Sequence, residues 1–206
     1  TCALPICASL ADGTVDCWGY NSHGELGNGT LVDSITPTPV VGISTATSVT
    51  VGADHSCAVF TDGSVNCWGY NADGELGQGT TTDIGDAPGE MATLTAIDLG
   101  GKAKSIVAGG LHTCATLTTG AVKCWGWNVY GQLGQGSTNN IGDAGGEMGA
   151  NLLPVELGGK TKALFVGYDA TCAQLTDGTV KCWGLGERSV RRVRNASSLR
   201  AVRGLR

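Results

Sequence analysis

The chain has 206 residues, of which 15% are charged, and a mean hydropathy of +0.05. These values exclude a disordered polyelectrolyte, and no apolar run approaches the ~18 residues a membrane-spanning helix requires. The net charge of −5 conceals a division: residues 1–187 hold all 18 acidic residues and 6 lysines, a net −12, whereas residues 188–206 hold seven arginines and no acid.

The 34 glycines exceed the usual ~7%, and they recur at fixed places, which marks them as turn residues. Early in the chain Cys7 and Cys17 stand ten positions apart around Gly13, and Trp18-Gly19 follow. A three-residue loop at Ala11-Asp12-Gly13 puts glycine on the left-handed position, which it adopts without steric cost. Leu10 then faces Thr14, and counting outward Cys7 faces Cys17 at a non-hydrogen-bonded pair. Cα atoms there lie about 4.5 Å apart, within the range of about 4.4–6.8 Å that a disulfide tolerates. The stretch Asn21 to Thr30 follows, reading N-x-x-G-[EQ]-L-G-x-G-[TS].

The same units then return. Thr47–Gly52 reads as a short strand and leads to His55-Ser56-Cys57, the hairpin around Gly63, Cys67-Trp68-Gly69 and the loop from Asn71. An insert, IGDAPGEM at 84–91, comes next. Ser105–Ala108 opens a third unit with His112, Cys114, Gly120, Cys124-Trp125-Gly126, the loop from Asn128 and a twin insert, IGDAGGEM at 141–148. Ala163–Gly167 opens a fourth unit with Cys172, Gly178 and Cys182-Trp183-Gly184, where the pattern breaks near Leu185-Gly186. The second cysteines, at 17, 67, 124 and 182, step by 50, 57 and 58 residues. Short strands with regular glycine turns argue for an all-β fold, and a unit of about 50 residues fits a propeller blade of roughly four strands. We divide the chain into units 1–46, 47–103, 104–161 and a truncated 162–186, followed by an arginine-rich, non-repeat tail at 187–206 that reads as a disordered or frameshifted end.

Cysteine paired at one register in every unit is hard to explain by packing alone, and we expect four structural disulfides; small reduced core cysteines are the alternative. Cys2 is left over. Residues that recur in every unit serve the unit. We therefore expect the C-W-G tryptophans to pack between neighbouring blades and His55 and His112 to be turn histidines bonded to nearby backbone. Asn71 to Glu75 reads as a turn and not as a calcium loop. Unit-specific features carry the binding expectation: Asp86 and Glu90, Asp143 and Glu147 on the glycine-rich inserts, and Trp127, which stands where Tyr20 and Tyr70 stand in other units. No C-x-x-C, G-x-x-x-x-G-K-[ST], H-E-x-x-H or G-x-S-x-G motif occurs, so no catalytic site, metal or cofactor is expected. Asn195-Ala196-Ser197 matches a glycosylation acceptor pattern.

The combination G-x-x-H-[ST]-C-A, D-G-x-V-x-C-W-G and N-x-x-G-[EQ]-L-G-x-G-T, over residues 1 to about 186, resembles the repeats of the regulator of chromosome condensation family. The resemblance implies a β-propeller, usually of seven blades, of which about four are represented here. Its cysteine-containing form resembles the bacterial, exported branch. The expected function is a non-enzymatic scaffold, extracellular or in the cell envelope, that binds a protein or surface ligand through propeller rim loops. The acidic body gives no footprint for nucleic acid. The alternative implied by the family's founding member is a guanine-nucleotide exchange regulator of a small GTPase, in the cytoplasm or nucleus.

Overall fold

The structure is a computed structural model and describes residues 4–185. The tail at 187–206, its Asn195 motif and Cys2 lie outside the described residues. Twelve strands form four antiparallel three-stranded sheets in chain order. The first contains β1 (Ile6–Ser9), β2 (Val15–Gly19) and β3 (Ser34–Pro39); the second β4 (Ala46–Val51), β5 (His55–Phe60) and β6 (Val65–Gly69). The third contains β7 (Ala103–Ala108), β8 (His112–Leu117) and β9 (Val122–Gly126); the fourth β10 (Thr161–Val166), β11 (Ala170–Leu175) and β12 (Val180–Gly184).

Each unit is organised around its hairpin. In the first, the Leu10 amide donates to the Thr14 carbonyl at 2.9 Å, the Gly13 amide donates to the Leu10 carbonyl at 3.0 Å, and Gly13 has φ +86°. The resulting register pairs Ser9 with Val15, Ala8 with Asp16 and Cys7 with Cys17. The other three hairpins pair Cys57 with Cys67, Cys114 with Cys124 and Cys172 with Cys182. All four pairs are disulfides, with Cα–Cα distances of 4.0 to 4.1 Å. This is the close spacing of the non-hydrogen-bonded site, not the ~5.5 Å of a hydrogen-bonded one.

The position of a fourth strand is filled differently from unit to unit. In the first sheet it is β3, whose sequence S-I-T-P-T-P carries Pro37 and Pro39; proline cannot donate to a ladder and is confined to such edges. In the second and third sheets the glycine-rich inserts do not extend, and the outer position contracts to single bridges, Gly69 with Ile84 and Gly126 with Ile141. The second insert also closes into one helical turn, α1 (Glu90–Thr93), an element too short to register as sequence periodicity.

The core lies between sheets, not within them. Val15, Cys17 and Leu26 of the first unit pack with Ala58 and Trp68 of the second. Cys57, Val65 and Leu76 of the second pack with Ala115, Leu117 and Trp125 of the third. Cys114, Val122 and Leu133 of the third pack with Ala173, Leu175 and Trp183 of the fourth. Each of the first three disulfides is thus covered by the sheet that follows it. The Cys57–Cys67 and Cys114–Cys124 bridges are fully buried, while Cys172 and Cys182 on the last sheet are half-buried. Trp68 and Trp125 are likewise inaccessible, while Trp18 on the first sheet is half-buried.

Candidate functional site

The tryptophans explain how one unit grips the next. Trp68 Nε1 donates to the Glu25 carbonyl at 2.8 Å, Trp125 Nε1 to the Glu75 carbonyl at 2.9 Å and Trp183 Nε1 to the Gln132 carbonyl at 2.7 Å. The same carbonyls accept from Ser56, Thr113 and Thr171 hydroxyls at 2.9 to 3.1 Å. A buried indole requires such a partner, and the [EQ]-L-G loop of the preceding unit supplies it. The interblade packing expected of these tryptophans is what the structure shows.

The histidines are held across the same boundary by side chains and not by local backbone. The Thr113 and Thr171 protons are spent on the loop carbonyls. Their oxygens therefore accept from the Nε2–H groups of His55 at 2.8 Å and His112 at 2.9 Å. Both rings are buried, and each Nδ1 lacks a hydrogen-bond partner among the described residues. Burial drives the His55 pKa down to about 3 and that of His112 to about 4. Both imidazoles are neutral struts.

The loops after C-W-G are held by their asparagines. Asn71 accepts the Leu76 amide at 2.9 Å and donates to the Thr80 and Thr82 carbonyls at 2.8 and 2.9 Å; Asn21 and Asn128 repeat the pattern. At the next shared position Glu75 accepts the Asp73 amide at 2.9 Å, and Gln132 accepts the Tyr130 amide at 2.9 Å. The remaining polar atom of each, Glu75 Oε1 and Gln132 Nε2, is buried and has no partner among the described residues, as is the case for Glu25 Oε1. Desolvation pushes Glu75 up to about 8 and raises Glu25 as well.

The insert residues divide into two roles. The Glu90 carboxylate accepts the Gly85 and Ala87 amides at 2.9 and 3.0 Å, and the Glu147 carboxylate accepts those of Gly142 and Ala144 at 2.8 and 3.1 Å. The glutamates therefore close their own loops. Desolvation and then a hydrogen bond to Glu90 raise the Asp86 pKa; desolvation and then a hydrogen bond to Glu147 raise that of Asp143. Desolvation opposes ionisation of Glu90, but the Ala87 amide, the Asp86 carboxyl and the Gly85 amide together hold its pKa low. Trp127 is half-buried and meets Tyr130 edge-on with ring centroids 5.3 Å apart.

The inserts also touch a neighbour, which the sequence pattern did not reveal. The insert of one unit lies on the loop of the unit before it. The Gly29 amide donates to the Gly85 carbonyl at 3.2 Å, and the Gly79 amide donates to that of Gly142 at 2.9 Å. Alongside, His23 Nδ1 meets Asp83 at 2.9 Å, and Asn140 Nδ2 donates to Asp73 at 2.9 Å. The residues His23, Asp73 and Tyr130 occupy one repeat position. Its variation from unit to unit, matched by Asp83 and Asn140, was the available signal for this contact.

The profile of the regulator of chromosome condensation (RCC1) repeat matches residues 12–59 and 62–116, and a second profile of that description matches 46–75 and 103–132. The ultraviolet-B receptor UVR8 of Arabidopsis thaliana is 31% identical over 184 residues, covering 86% of this chain and 38% of the receptor. Human WBSCR16 superposes with a TM-score of 0.70 at 21% identity, covering 88% of this chain and 45% of that one. The ectodomain of the Physcomitrella patens receptor kinase CR4 superposes with a TM-score of 0.50 at 26% identity, covering 89% of this chain and 39% of that one. The chain thus spans less than half the length of each of these relatives. Repeat frame, interblade tryptophans and matched profiles agree: the chain belongs to the regulator of chromosome condensation (RCC1) repeat family and folds as part of its β-propeller.

Proposed function

We propose that this repeat scaffold is exported and that it binds a protein or surface ligand through its rim loops, without catalysing a reaction. The observation that carries the export reading is a disulfide in each of the four hairpins, since such bridges persist in oxidising compartments and are rare where glutathione keeps thiols reduced. The likeness to a receptor-kinase ectodomain at 26% identity supports it. On the rim, Asp86 and Asp143 supply carboxyl groups on loops braced by Glu90 and Glu147, and Trp127 supplies an indole where the first two units carry tyrosine. Such unit-specific groups on a rigid frame are where propellers carry recognition.

Labelling intact source cells with a membrane-impermeant amine reagent tests export. Modification before lysis is expected; modification only after lysis, with alkylatable thiols at the eight paired cysteines, would favour the intracellular regulator. Replacing Asp86 and Asp143 together by lysine tests the rim. The double variant is expected to melt as the parent does and to lose retention on the outer surface of source cells. Undiminished retention would remove these residues from the binding surface.

A further inference from the structure

The seam between the first two units carries a dipeptide that the later loops lack. Where the second and third loops read Gln78-Gly79 and Gln135-Gly136, the first reads Asn28-Gly29, the one Asn-Gly step in the chain. The seam dictates the glycine: it has φ +74°, and a Cβ on it would lie 3.2 Å from the Pro88 Cα of the next unit's insert. Its amide holds that insert through the Gly85 carbonyl at 3.2 Å. The asparagine beside it is folded toward the same nitrogen. Asn28 Oδ1 accepts the Thr30 amide at 3.1 Å and the Thr30 hydroxyl at 2.8 Å, a turn that curls the carboxamide back over residue 29. Both bonds draw electron density from Cγ and are placed to stabilise an oxyanion there. A cleft of about 190 Å³ opens beside the pair, lined by Asn28, Gly29, Val41, Ala87, Pro88 and Met91 among others, with room for water. Gln78 and Gln135 differ on two counts. Their longer side chains close a larger ring less readily, and their Nε2 atoms are tied to the Thr95 and Leu153 carbonyls at 2.9 and 2.7 Å.

We propose that Asn28 is a self-modification site: its carboxamide cyclises onto the Gly29 nitrogen when the first seam opens, and the isoaspartate that forms keeps the seam from closing. In the closed seam the Gly29 N–H is engaged by Gly85 and the loop is clamped, so the nitrogen is held off Cγ. Local opening removes that restraint. The Gly29 nitrogen then bonds to Asn28 Cγ, the Cγ–Nδ2 bond breaks, and ammonia leaves with the Gly29 proton. Water opens the resulting imide at either carbonyl. Cleavage between the nitrogen and Cγ restores the main chain and leaves aspartate. Cleavage between the nitrogen and the main-chain carbonyl carbon of residue 28 leaves isoaspartate, with the chain routed through the former side chain. The only co-reactant is water. The two products differ at the seam, because the insert touches the loop on both sides of residue 28. A Cβ on Gly24 would lie 2.4 Å from the Asp86 nitrogen, and one on Gly29 lies against Pro88. Isoaspartate adds a methylene to the main chain between those two contacts and shifts one of them off its seat. Aspartate keeps the chain length and lets the seam close. The inference is independent of the export and binding readings.

The test incubates the full ¹⁵N-labelled chain for weeks in mildly alkaline buffer. Peptide mapping separates aspartate from isoaspartate, and hydrogen exchange follows the Gly29 amide. Conversion at Asn28 is expected to outrun that at Asn139 and Asn151, which are exposed but are followed by Asn and Leu. Two variants open the seam to different degrees. Gly85→Val sets a Cβ 2.7 Å from the Gly24 carbonyl, and the milder His23→Ala removes the neighbouring contact to Asp83. The valine variant is expected to convert at least about tenfold faster than the parent, a seam opened by ~1.4 kcal/mol, with His23→Ala between the two. The Gly29 amide should exchange faster in the purified isoaspartate product than in the parent, and no faster in Asn28→Asp. Conversion at Asn28 no faster than at Asn139 and Asn151 would overturn the proposal. So would equal rates in the parent and the seam variants; if the valine variant does not fold, a parental rate in His23→Ala is enough. An isoaspartate product whose Gly29 amide exchanges as slowly as the parent's would also overturn it.

Discussion

Glu75 offers a prediction with a defined sign. Its carboxyl is fully buried, one oxygen is unpaired, and desolvation raises its pKa from 4.5 to about 8. The folded chain keeps that proton up to about pH 8, whereas the unfolded chain releases it near 4.5. Between those values the folded state binds more protons, so its stability falls as pH rises. At about 1.36 kcal/mol per pH unit the cost reaches roughly 3 kcal/mol at pH 7, an upper bound that local water entry reduces. From pH 6.5 to 8 its fall is about 1.5 kcal/mol, partly offset by His55 and His112, which are half-protonated at pH 6.5 in the unfolded chain alone and add about 0.4 kcal/mol each as that proton leaves. Glu75→Gln removes the titration and keeps the acceptor for the Asp73 amide, as Gln132 shows for Tyr130 in the next unit. Urea unfolding at pH 6.5, 7.25 and 8 should show the parent losing stability with pH. The variant should be more stable at pH 8 and should rise slightly with pH, by the histidine contribution alone. A parent curve that is flat or rising, or a variant with the parent's slope, would refute the reasoning.

Below pH 6.5 the buried histidines act in the opposite sense. Their folded pKa values of about 3 and 4 lie under the unfolded value of 6.5, so their contribution is intact above 6.5 and is lost as pH falls toward those values. Acid unfolding followed by circular dichroism should show an added loss between pH 6 and 4 that His112→Gln reduces. Replacing Cys57 and Cys67 by alanine opens a loop of sequence separation 10 and should cost about 2.7 kcal/mol in the chain-entropy treatment, read from the urea midpoint. Trp125→Phe removes the indole donor to the Glu75 carbonyl and part of a fully buried side chain. A loss of about 1–3 kcal/mol is expected, and the same change at half-buried Trp18 should cost less. Glu90→Ala strips the acceptor from two loop amides and should cost about 0.5–2 kcal/mol, as loss of a cap does, measured by thermal unfolding.

The hairpins were legible because their register is a local matter. A three-residue loop with glycine at its left-handed position fixes every pair outward, and so places Cys57 opposite Cys67 without knowledge of the rest of the fold. The repeated C-W-G likewise identified framework tryptophans. What they bond to was not legible, since the Glu25, Glu75 and Gln132 acceptors are main-chain carbonyls and leave no side-chain signature. The histidines were expected to bond nearby backbone, but they reach threonines 58 and 59 residues away, a separation no local pattern encodes. The insert acids were read as one surface group. Two of the four, Glu90 and Glu147, bind their own loops, and that division depends on backbone curvature set by the glycines between them. The contraction of the outer strand to a bridge at Ile84 and Ile141 follows from those same glycines.

The central claim is that the repeated cysteines are the bonded framework of a propeller held in an oxidising environment. Intact mass of the protein purified from its source with thiols blocked at lysis, compared with and without reductant, tests it most directly. The account predicts a gain of about eight mass units on reduction, two hydrogens for each of four bridges, with bridged peptides joining Cys7 to Cys17, Cys57 to Cys67, Cys114 to Cys124 and Cys172 to Cys182. An unchanged mass, with those eight cysteines alkylated before any reductant is added, would contradict it.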